Sequence, residues 1–88
     1  MKIRTGFVKR TVGNEVVVVA TGKMSRNFNG ITRLNESGEL LWNELENGAD
    51  VESLTKALMD EYEVSEEVAE RDVKVFLKKL KDANILEK

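Results

Sequence analysis

The sequence predicts an α+β domain resembling a winged helix-turn-helix with its strands placed first, a three-stranded antiparallel sheet followed by three helices (β-β-β-α-α-α). Three observations carry this. Residues 7–20 hold two runs rich in β-branched side chains around a Gly-Asn pair. From Glu36 onward, three stretches repeat apolar residues at helical spacing. Almost nothing separates a third extended run, residues 30–34, from the first of those helices. Three amphipathic helices cannot bury their stripes on one small sheet without also packing on each other, so strands (about 7–34) and helices (about 36–86) form one domain, residues 1–88.

The first two strands are Phe7–Val12 and Glu15–Ala20, joined by Gly13 and Asn14. Glycine at the first central position of a two-residue loop suits a type II′ turn. Because Val16, Val17, Val18 and Val19 are consecutive, the second strand is covered on both faces or central in its sheet. Residues 21–29 are polar and irregular, a connection back to the third strand.

Asn35 stands where an N-cap belongs, and Glu36 and Glu39 favour the positive end of the helix it opens. Leu40, Leu41, Trp42 and Leu45 set that helix's apolar side, and Asn47-Gly48 supplies a left-handed stop. Gly38, in its opening turn, would let backbones approach; an ordinary helix-start glycine is the alternative reading. Asp50 caps a second helix with Leu54, Leu58 and Tyr62 on one stripe and Ala57 beside it. Ser65 begins a third, whose residues Ala69, Val73, Phe76, Leu77 and Leu80 share a face.

Composition excludes much. Of 88 residues, 41% are hydrophobic and 34% charged, with no proline and six glycines, as expected of a soluble folded chain. With neither cysteine nor histidine, the chain lacks disulfides, thiolate nucleophiles, the usual zinc ligands and the commonest proton carrier near neutral pH. We expect no enzyme, metal or cofactor. The longest apolar run, residues 16–20, is too short to span a bilayer, and no signal core follows Met1, so a cytoplasmic location is expected.

The net charge of −2 hides a partition: residues 1–34 carry seven positive and one negative charge, 35–70 one and twelve, 71–88 six and three. Such asymmetry bears on partners rather than on fold.

An outer strand retains a row of free N–H and C=O groups, and an extended peptide can complete such an edge. The third strand carries one charge, Arg33, which is modest shielding. On the last helix, projected at 100° per residue, Val75 and Val68 fall to one flank of the core stripe with Asp72 and Lys79. Either they widen the buried stripe, or the flank forms a groove wall opposite the third strand. Arg71, Lys74, Lys78 and Lys81 lie toward the other side, a solvated basic face.

Leu34, Asn35, Ser37, Gly38, Leu41, Trp42, Leu45 and Gly48, then Asp72, Val73, Phe76, Leu77 and Leu80, together resemble the PqqD family, from Gly6 almost to the end of the chain. The resemblance implies a recognition element for ribosomally synthesised, later modified peptides. Such an element binds the leader of a precursor peptide and presents the rest to a modifying enzyme, often a radical SAM maturase. It implies that the leader adds as a strand between Ile31, Thr32, Arg33 and Leu34 on one side and Asp72, Val75, Phe76 and Lys79 on the other. Members devoted to the quinone pathway carry a Leu-Leu-Tyr-Pro-Glu-like segment ahead of the third strand. This chain has KMSRNFNGI there, so another product, such as a thioether-bridged or lasso peptide, is expected.

Both groove walls come from positive segments, which would steer an acidic leader toward them. The reading from another class is a winged-helix DNA-binding regulator using its basic third helix, against which stands the −11 of residues 35–70. A third reading is a homodimer paired through the third strands.

Overall fold

The structure, a computed structural model, describes residues 1–22 and 32–87, with Thr32 as backbone only. Its elements are β1 (Lys2–Ile3), β2 (Phe7–Val12), β3 (Glu15–Ala20), β4 (Thr32–Leu34), α1 (Glu36–Glu46), α2 (Val51–Glu61), α3 (Glu66–Asp82) and β5 (Leu86–Glu87). The antiparallel sheet β2-β3-β4 precedes three helices, the α+β order read from the sequence. Of the expected third strand, Thr32–Leu34 is β4, while Gly30 and Ile31 lie outside the described residues.

The β2–β3 hairpin runs in register from Phe7↔Ala20 to Val12↔Glu15. Gly13 has φ of 62° and Asn14 does not share a positive φ, which fits a type II′ turn and not type I′. β3 occupies the centre, and its adjacent Val17 and Val18 are 4% and 0% exposed. Successive strand residues face opposite ways, so β3 is covered on both faces. Val18, Phe7 and Leu34 meet Trp42, Leu45, Leu54, Val73 and Leu80 in one core.

Each helix starts with a side chain accepting from an otherwise orphan N–H. The Asn35 Oδ1 accepts from the Gly38 N–H at 2.8 Å, and the Ser65 Oγ from the Val68 N–H at 3.3 Å. Asp50 and Ser53 form a reciprocal capping box: Asp50 Oδ1 accepts from the Ser53 N–H at 2.8 Å, and Ser53 Oγ from the Asp50 N–H at 3.1 Å. Gly48, with φ of 89°, ends α1, its N–H reaching the Leu45 carbonyl at 3.1 Å.

A second, two-stranded sheet of β1 and β5 was not expected from the sequence. It exists because α3 ends in a Schellman motif. Asn84 takes φ of 62°, its N–H donates to the Lys81 carbonyl at 3.0 Å, and the Ile85 N–H donates to the Leu80 carbonyl at 2.9 Å. The turn delivers Ile85 to a fully buried position and aligns Leu86 with Ile3. The amino-terminal ammonium donates to the Ala49 carbonyl at 2.9 Å, tying the same corner to the start of α2.

Candidate functional site

The short link between β4 and α1 shapes the site. Leu34 ends a strand and Asn35 already caps a helix, so the first turn of α1 folds back beside β4. Gly38 lies buried there. A Cβ at this position would stand 3.0 Å from the Asn35 Oδ1, 3.4 Å from the Phe76 Cε1 and 3.6 Å from the Leu34 Cδ2. The glycine therefore makes room for its own cap, with side chains of α3 and β4 at ordinary contact distance, and not for the backbones expected from the sequence.

Between β4 and α3 runs a cleft of about 800 Å³. Arg33 and Leu34 line it from the strand, and Asp72, Val75, Phe76 and Lys79 from the helix. The four helix residues follow an i, i+3, i+4, i+7 pattern, one stripe along α3. Six of the eight residues named from the sequence thus border one cleft. Ile31 lies outside the described residues, and of Thr32 only the backbone is described, paired with Val18.

Val75 is 65% exposed, so it does not widen the core, whereas Val68 is half-buried. Phe76, expected at the centre of the core stripe, is half-buried: it packs against the core and also forms cleft wall. Ala69, Val73, Leu77 and Leu80 are the buried residues of α3. Of the basic residues on the other side, Lys74 pairs with Glu70 at 2.9 Å and Lys78 with Asp82 at 3.0 Å. These exposed one-turn pairs are the expected solvated face.

Sequence reading missed the residues that other segments bring in. Asn14, Glu15 and Val16 contribute from the hairpin, and Glu36, Ser37, Glu39 and Leu41 from α1. Glu15 meets Arg33 at 3.5 Å, and Glu39 is held by Lys9 at 2.8 Å. Next to the cleft, sharing Asn35, Glu36, Ser37, Leu58 and Asp72 with it, is a hollow of about 320 Å³ that Tyr62 and Val64 also line. At Tyr62, desolvation first, then the charges of Glu36 and Glu61, push the hydroxyl above its usual value. The readable signal was the missing loop at Asn35, which forces α1 against β4.

The walls are not uniformly positive. α1, from the acidic segment, adds Glu36 and Glu39 beside Asp72 and Glu15, so the steering expected for a simply acidic leader does not follow from this lining. Among the described residues, no strand pairs with the outer side of β4, and no three Asp or Glu residues cluster to hold a metal ion. The arrangement offers main-chain partners on one wall, apolar contact at Val75 and Phe76 on the other, and charges of both signs.

The family model for "Coenzyme PQQ synthesis protein D (PqqD)" matches residues 15–86. A solved structure of TbiB1 in complex with the TbiA(beta) leader peptide is similar over 99% of this chain and 95% of its own, with 30% identity and a TM-score of 0.81. A lasso peptide synthetase B1 complexed with the leader peptide is similar in fold over 99% and 96%, with 22% identity and a TM-score of 0.80. A comparison with curated protein sequences gave no match.

Proposed function

Because this chain belongs to the PqqD family, we propose that it binds the leader of a ribosomally made precursor peptide and presents the remainder to a modifying enzyme, a radical SAM or other maturase. The leader adds as a strand beside β4 and lies against α3, contacting Ile31, Thr32, Arg33 and Leu34 on one side and Asp72, Val75, Phe76 and Lys79 on the other. The observation that carries this is a strand edge without a partner among the described residues, set across one cleft from an exposed valine. Strand addition uses these two parts: backbone bonds at the edge and side-chain contact along the facing wall. The 30% identical TbiB1 was solved with a leader peptide, which favours a peptide guest. Duplex DNA fits poorly, because Glu36, Glu39 and Asp72 border the same cleft and would repel phosphates. The chain acts by binding, and we assign that work to the cytoplasm, where precursor peptides are synthesised.

Synthetic leaders of short peptides encoded beside the gene test this by calorimetric titration. A leader that binds should lose at least tenfold in affinity with Val75→Asp, while circular dichroism stays that of the parent chain, since the side chain is solvent-facing. Equal affinity in the folded variant would overturn the cleft assignment. Salt separates the DNA reading: duplex binding through six to ten phosphates falls roughly 10³ to 10⁵-fold between 50 and 200 mM, and peptide binding should fall far less.

A further inference from the structure

Two charges on the helix wall of the cleft are ordered along it. Asp72 and Lys79 lie on one stripe of α3, seven residues apart, which is about 10 Å along a helix axis. At the Asp72 end, Glu36 joins it around the hollow walled by Leu58, Tyr62 and Val64. An apolar wall rimmed by carboxylates matches a side chain with an alkyl stem and a cationic head. Among the described residues, no ion pair engages Glu36, Asp72 or Lys79, whereas Lys74 and Lys78 on the outer side of α3 are paired within their own helix. The helix wall thus keeps carboxylates available at one end and an ammonium at the other, with Val75 and Phe76 between them.

Resting on the peptide-binding reading, we propose that this cleft selects its guest by charge order. It takes a Lys or Arg side chain at the Asp72 end, an apolar residue at the centre, and an Asp or Glu at the Lys79 end. An extended strand rises about 3.3 Å per residue, so the two charged positions lie about two to four residues apart. The guest is an extended segment with opposite charges flanking an apolar residue, not a uniformly acidic one.

An mRNA-display library of randomised twelve-residue peptides, selected against the full chain, reads this directly. Enriched peptides should carry the cation, apolar residue and anion at that spacing, and their order from N to C terminus reports the direction of the guest along α3. One such peptide should lose at least tenfold in affinity against Asp72→Lys combined with Lys79→Asp. The peptide with its two charges exchanged should recover most of that loss. Asp72 and Lys79 are both exposed, so the double variant should keep its fold by circular dichroism. Selected peptides that require Val75 but show no charge order, or that bind the exchanged variant equally well, overturn this inference and leave the peptide reading standing. Failure to select any peptide, or selected peptides indifferent to Val75→Asp, overturns both.

Discussion

Asn35 serves the fold and the cleft with one carboxamide. Its Oδ1 accepts from the Gly38 N–H at 2.8 Å and from the Ser37 hydroxyl at 3.1 Å, at the point where α1 borders the cleft. Asn35→Ala should cost about 1 kcal/mol, as for other lost N-caps. For a domain of this size that corresponds to a fall in Tm of roughly 4–8 °C, measurable by calorimetry, and Asn35→Asp should restore it. At Asp50, hydrogen bonds from the Ser53 backbone and then its side chain hold the carboxyl below its ordinary value of 3.8. Its contribution is therefore complete above 3.8 and is lost as pH falls through the lower folded value. Asp50→Asn should flatten the acid limb of a plot of denaturation midpoint against pH, with little change near neutrality. Both caps were legible in the sequence, since an N-cap is local chemistry. The state of Trp42 was not: its ring is fully buried and, among the described residues, its Nε1 has no acceptor, a result of how several elements close around it.

At the scale of elements, Gly38 joins helix propensity and cleft shape in opposition. Alanine in a helix is favoured over glycine by about 1 kcal/mol, yet here its Cβ would crowd the Asn35 cap, while meeting Phe76 and Leu34 at ordinary contact distance. Gly38→Ala should therefore leave Tm within a few degrees of the parent, and by displacing the Asn35 carboxamide at the edge of the cleft it should weaken leader binding several-fold at most. Calorimetric melting and titration on one sample check both halves. The hairpin and three helices were readable because their patterns run for six residues or more. β1 and β5 were not, because two residues cannot display an alternation. Their pairing follows from the Asn84 turn, whose left-handed backbone the sequence only permits. Val75 was visible as a misfit on its helix, and packing decided between core and cleft.

For the molecule as a whole, charge partition was plain in the sequence and its placement was not. Counting residues gives a strongly acidic middle between two basic ends. Folding sets the first turn of that middle between β4 and α3, so the cleft receives carboxylates that a linear count assigned elsewhere. The site draws on the hairpin turn, β4, α1 and α3, and only their packing brings those distant stretches together. The helix stripe and strand could be named in advance because each is contiguous; the floor could not.

The main chain of Thr32–Leu34, the described part of the third strand, can by itself give a guest only so much. These three residues offer two or four bonds, since a strand residue turns its N–H and C=O to the same edge; at about 0.5–1.5 kcal/mol net each, an indiscriminate ribbon held by them alone would be held at roughly the millimolar level. Micromolar retention needs about twice that free energy, and the surplus has to come from whatever projects toward Val75, Phe76 and the flanking charges. On the strand-addition proposal, these main-chain bonds alone would retain few extended polypeptides, and the fit of side chains would decide which are kept.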